Sequence, residues 1–170
     1  EPQLQLRLPT ERYYEEEGRA ELTPRDFGIL MHRVFENAAT TDEIYMAIEA
    51  MTQDGVLDEK EAPRLRELVE KALADPVTAE WFGGRWQVVR NENEIILPGS
   101  GTTRRPDRVM TDGERAVVVD YKFGDRETAR HRKQIREYLR LLRQMGYTRT
   151  EGYLWYVRLG RTERVEEKED

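Results

Sequence analysis

The run Ala116-Val117-Val118-Val119 constrains the fold more than any other stretch of the chain. Three consecutive β-branched residues carry no helical period and suit a strand buried on both faces. Such a run normally stays apolar to its end, yet this one continues into Asp120-Tyr121-Lys122-Phe123-Gly124. Strand alternation sends the Asp120 and Lys122 side chains out of the same face. Upstream, Thr111-Asp112-Gly113 marks a turn, which predicts a hairpin with Arg105-Pro106-Asp107-Arg108-Val109. Two carboxylates and an ammonium then converge at the end of a buried strand pair. That is a place to hold a divalent cation and a phosphate.

Elsewhere the pattern is mostly helical. Thr23-Pro24-Arg25-Asp26 opens a helix predicted to run to about Asn37, with Phe27, Leu30, Met31 and Val34 on its apolar face. His32 and Glu36, four apart, share a flank of it. Residues 40–82 read as a helical insert. One helix starts at Thr40, with Glu43 at capping-box spacing, and closes at Asp54-Gly55. A longer one carries Leu65, Leu68, Val69, Ala72 and Leu73, and Pro63 blurs its start. Trp81 and Phe82 end the insert. Arg85 to Leu97 reads as one or two strands, with Glu92 and Glu94 between their apolar parts. Thr128 to Met145 is a helix whose buried stripe is Ile135, Tyr138, Leu139, Leu142 and Met145, with Gly146 placed to end it. Gly152 to Val157 is an aromatic-rich strand expected beside the core strands, and Val165 belongs to a last short strand.

Pro106-Asp107, then Asp120-Tyr121-Lys122 after the spacer 108–119, resembles the signature of the PD-(D/E)XK nuclease superfamily. More narrowly the chain resembles the nuclease domain at the C-terminus of RecB- and AddA-type helicase–nucleases, the exonuclease V beta-like group. Gly28-x-x-x-His32 is similar to the helix that opens those domains, and Gln134-x-x-x-Tyr138 to the motif that follows Asp-x-Lys in them. The resemblance spans about residues 24–157. It implies an α/β fold, a restriction-endonuclease-like mixed central sheet flanked by helices. It implies metal-dependent DNA cleavage, with Asp107 and Asp120 as Mg²⁺ ligands and Mn²⁺ able to substitute. The Tyr121 carbonyl is a backbone ligand in this reading, Lys122 acts on the attacking water, and Gln134 steadies the site. His32 and one of Glu92 or Glu94 complete the metal shell. The partners it implies are DNA, in single strands, helicase domains upstream in the same chain, and further helicase–nuclease subunits.

Charge and composition set limits on these expectations. A net charge of −6 argues against a protein that coats nucleic acid. Against that balance, Arg126, Arg130, Arg132, Lys133, Arg136, Arg140 and Arg143 crowd the stretch from Arg126 to Arg143, and Arg130, Lys133, Arg136 and Tyr138 are candidate nucleic-acid contacts. With 0 Cys, disulfides, thiolate metal sites and a cysteine-ligated iron–sulfur cluster are excluded. No apolar run approaches a membrane span, and a cytoplasmic setting fits. The chain starts at Glu1 without methionine, which reads as a fragment of something longer. Residues 1–22 are expected to be a linker from an upstream domain, 23–165 the nuclease domain, and 166–170 an acidic tail. Two other classes compete with an active nuclease: a nuclease-fold module that binds DNA for a helicase without cutting it, and a protein-interaction domain with a basic helix. Metal binding at Asp107 and Asp120 separates them, since neither requires it.

Overall fold

The structure, a computed structural model, describes residues 21–91, 95–96, 103–124 and 129–168. Its first helix, α1 (Pro24–Glu36), begins with a capping box. Thr23 Oγ1 accepts from the Asp26 N–H, and the Asp26 carboxylate accepts from the Thr23 N–H at 2.8 Å. Helix α2 (Thr41–Gln53) follows, with Thr40 Oγ1 accepting from the Glu43 N–H. The Glu43 carboxylate reaches Ala39 N–H at 2.6 Å, one residue short of the reciprocal bond a capping box would make. Helix α3 (Glu61–Ala72) takes Pro63 into its first turn, where a missing N–H costs nothing. It is no longer than α2. A further helix not anticipated from the sequence, α4 (Pro76–Trp81), starts where Asp75 accepts from the Val77 N–H at 2.8 Å.

The strands are β1 (Val88–Asn91), β2 (Ile95–Ile96), β3 (Thr103–Arg104), β4 (Arg108–Asp112), β5 (Arg115–Lys122), β6 (Arg149–Tyr156) and β7 (Arg161–Val165). Among the described residues, β2 and β3 pair with each other as a separate two-stranded sheet. The main sheet has the order β1-β4-β5-β6-β7, and only the β5–β6 pair is parallel. Helix α5 (Ala129–Gln144) makes the crossover between those two strands, as a parallel pair requires. This mixed sheet with helices is the α/β restriction-endonuclease-like architecture expected above.

Because side chains alternate along β5, its two faces enter different cores. Val117, Val119 and Tyr121 pack with α1 to α4. Ala116 and Val118 pack with Ile135, Tyr138, Leu139, Leu141 and Leu142 of α5. Residues 40–82 therefore build one of the main cores: Ile44, Ile48, Leu65, Val69, Trp81 and Phe82 share a cluster with the central strand. Aromatic rings fill that layer, with Phe35 and Trp155 centroids 4.9 Å apart. Met145 does not join the α5 stripe. It lies past the end of the helix, 64% exposed, where Gly146 at φ +106° turns the chain.

At Gly152, β6 lies so close to α5 that a Cβ would stand 2.4 Å from Ile135 Cγ2 and 3.2 Å from Leu139 Cδ1. Replacement by Ala should destabilise the protein by about 1–3 kcal/mol, because the helix must move off the sheet. Urea unfolding checks this, and an unchanged midpoint would show that the layer yields freely.

Candidate active site

The β4–β5 hairpin sets the site. Arg108 pairs with Val119, so Asp107 and Asp120 face each other one step beyond the paired residues. Each carboxylate is held by the other strand's backbone. Asp107 N–H donates to Asp120 Oδ1 at 3.1 Å, and Tyr121 N–H donates to Asp107 Oδ2 at 2.6 Å. Two like charges this close on adjacent strands are unfavourable unless a cation stands between them. The chemistry bears this out. Burial, and next the charge of Asp107, push the Asp120 carboxyl up to about 6, while Lys122 and the Asp107 N–H pull it back. Lys122 follows at alternate spacing on the same strand, and its charge reaches Asp120.

From the other side of the sheet α1 delivers His32. Its Nε2 lies 3.4 Å from Asp107 Oδ1, and its Nδ1 lies 3.2 Å from Glu36 Oε2. The ring meets Tyr121 and Phe123 edge-on, with centroids 5.9 and 5.8 Å away. A carboxylate on Nδ1 fixes the imidazole tautomer and frees Nε2 as a donor to a metal ion. The structure thus brings His32, Asp107, Asp120 and the Tyr121 backbone together in one contact network.

This donor set suits Mg²⁺. Among the described residues no three His, Asp or Glu side chains gather closely enough to enclose an ion. Mg²⁺ does not need such a cage, since it keeps waters and takes one or two carboxylates plus substrate phosphate oxygens. The donors are hard oxygens with one imidazole, a set that Mn²⁺ accepts as well.

Glu92 and Glu94 lie outside the described residues. Gln134 donates from Nε2 to the Tyr138 hydroxyl at 3.1 Å, a contact within α5. Tyr138 is fully buried in the α5 layer, where it packs the core. The basic helix is also less free than its composition implied. Arg132 forms two bonds to Glu163 of β7, at 2.5 and 3.2 Å, and Arg143 pairs with Glu167. Arg130 and Lys133 remain exposed, and Arg136 is half-buried.

Three residues without an assigned part in the sequence reading belong to this neighbourhood. Glu36 supports His32, and its i, i+4 spacing was the available signal. His131 feels Lys122 directly, and among the described residues its buried Nδ1 has no hydrogen-bond partner. Burial lowers its proton affinity most, followed by Lys122, Arg130 and Arg132. Arg108, adjoining Asp107, is buried and bonds three backbone carbonyls; nothing local in the sequence marks it.

The family model described as the PD-(D/E)XK nuclease superfamily matches residues 3–170. No curated protein matches the chain. Among the described residues, no helix is long and apolar enough to cross a membrane.

Proposed function

We propose, from the premise that the chain belongs to the PD-(D/E)XK nuclease superfamily, that it is a Mg²⁺-dependent deoxyribonuclease acting on single strands. The observation that carries this reading is the opposed carboxylate pair. Asp107 and Asp120 hold each other through backbone N–H groups, with Asp120 raised by burial and by its neighbour. In this reading Asp107, Asp120, His32 and the Tyr121 carbonyl hold the metal, and one of Glu92 or Glu94 adds a carboxylate. A carboxylate-bound Mg²⁺ lowers the pKa of bound water and offsets charge on the phosphate.

The chain's own groups do the rest. Lys122 orients the attacking water and opposes the negative charge that develops on the phosphoryl oxygens. Glu36 keeps the His32 ring turned toward Asp107. Gln134 steadies α5 through Tyr138, at a remove from the reacting atoms. Arg130 and Lys133, with Arg136 behind them, supply phosphate contacts on one flank. Binding should therefore weaken with salt, though less steeply than the count of basic residues implies, since Arg132 and Arg143 already have carboxylate partners.

The wider setting extends the same reading. The Gly28-x-x-x-His32 and Gln134-x-x-x-Tyr138 patterns support a RecB- or AddA-type exonuclease domain. Such a domain sits beside helicase domains, works in the cytoplasm, and acts in double-strand-break repair and recombination. The test is cleavage of end-labelled single-stranded DNA with Mg²⁺ or Mn²⁺, with a chelator control and Asp107→Ala alongside. Metal-dependent cutting that Asp107→Ala abolishes is expected. Cutting that survives the substitution overturns the assignment, and metal binding without cutting favours a module that needs its helicase.

A further inference from the structure

Arg108 is 0% exposed, and among the described residues no carboxylate pairs with its guanidinium. A buried cation with no paired carboxylate is costly unless strong acceptors surround it, and the charge of Glu43 offsets only part of the burial. The acceptors of Arg108 are backbone carbonyls of the turn between α1 and α2 and of the end of α4. Nη1 donates to the Ala38 carbonyl at 2.7 Å, and Nη2 donates to the Ala39 carbonyl at 2.8 Å. Both carbonyls lie just past the α1 C-cap, Asn37. Nη2 also donates at 2.6 Å to the carbonyl of Trp81, the last residue of α4. The Trp81 carbonyl, at the C-terminus of α4, lacks an intrahelical donor and carries the negative end of that helix's dipole, while the Ala38 and Ala39 carbonyls belong to the turn between α1 and α2. Asn91 Oδ1 accepts from Nη1 at 3.2 Å, and its own amide donates to the Ala38 carbonyl at 3.2 Å. The Phe82 ring closes one side, 4.0 Å from the guanidinium carbon.

The position of this knot matters for the site. Arg108 is the first residue of β4, and the preceding residue is Asp107. The turn it grips follows directly on α1, which carries His32. We propose that Arg108 is a positioning residue. It sets the distance between His32 and the Asp107–Asp120 pair by tying the ends of α1 and α4 to the start of β4. This rests on the reading that those three side chains hold a divalent ion. Lysine cannot replace it, since one ammonium has three donors on a single atom and cannot span acceptors arrayed around a planar fork.

The experiment uses the full chain and Arg108→Lys, with two readouts: Mn²⁺ affinity by titration, and proton NOEs from the His32 ring. The variant should still unfold cooperatively. Its Mn²⁺ affinity should fall about tenfold, as with other changes just outside a metal's ligands. NOEs from His32 to Tyr121 and Phe123 should disappear while those between Phe35 and Trp155 persist. In a His32→Ala background the Arg108 substitution should change Mn²⁺ affinity by less than about twofold, because the coupling partner is gone. A lower melting temperature with both readouts unchanged would overturn the proposal and leave Arg108 a stabilising residue only. Should the parent bind no Mn²⁺ while the His32 NOEs still vanish in the variant, the metal reading fails and the tie stands. If Arg108→Lys does not fold, Asn91→Ala removes one acceptor and leaves the guanidinium. A smaller loss in both readouts supports the proposal, and none overturns it.

Discussion

Asp120→Asn should reduce metal-dependent cleavage by about 10³-fold and at the same time raise the melting temperature of the metal-free protein. The first effect follows from losing a charged ligand to the ion in a buried, partly dehydrated setting. The second follows from the same burial. Asp120 is 4% exposed and faces Asp107, and its carboxyl is held near 6 against an ordinary 3.8. Keeping it ionised at neutral pH costs about 3 kcal/mol in the metal-free state. Asparagine keeps the oxygen that accepts from Asp107 N–H and sheds the charge. It should recover about 1–2 kcal/mol of that cost, the remainder going to its unpaired amide. Lys122→Ala is the contrast. It should lower cleavage by about 10²-fold with no gain in stability, because Lys122 lowers the Asp120 pKa and its removal worsens the carboxylate clash. Cleavage rates and thermal melts of both variants check the pair. If Asp120→Asn retained activity within tenfold of the parent, the carboxylate pair could not be the reaction centre.

The parts of this site that could be read from the chain are those with a period. Strand alternation after Ala116-Val117-Val118-Val119 placed Asp120 and Lys122 on one face. The turn at Thr111-Asp112-Gly113 placed Asp107 on the neighbouring strand, and the i, i+4 rule placed Glu36 under His32. Contacts between elements far apart in sequence left no such trace. Arg108 looks like a surface residue until Ala38, Ala39 and Trp81 surround it, and all three come from segments that the chain completes long before β4. The carboxylate partners of the basic helix left no trace for the same reason, since Glu163 and Glu167, which pair with Arg132 and Arg143, arrive from β7 and beyond. Tyr138 satisfied two patterns at once, a sequence motif and an apolar stripe. Burial decides for the stripe, with its hydroxyl held by Gln134. The short α4 was missed because a six-residue helix has too few turns to show a period.

Magnesium should raise the melting temperature strongly at pH 7.5 and hardly at all at pH 5. The folded-state pKa of Asp120, about 6, lies above its ordinary 3.8. Its contribution to metal-free stability is therefore fully present below about pH 4 and is withdrawn as the pH rises through 6. By pH 7.5 the group is charged and the metal-free fold has lost about 3 kcal/mol on its account. A bound cation reverses this by favouring the ionised form. Below pH 6 the ion must displace a proton to bind, so affinity should fall about tenfold for each further pH unit. Melts with and without saturating Mg²⁺ across pH 5 to 8 would show the difference growing through pH 6. Asp120→Asn should flatten that profile, since it has no proton to lose. An equal Mg²⁺ shift at both ends of the range would mean that Asp120 does not bind the ion, and would move the metal away from the β4–β5 hairpin.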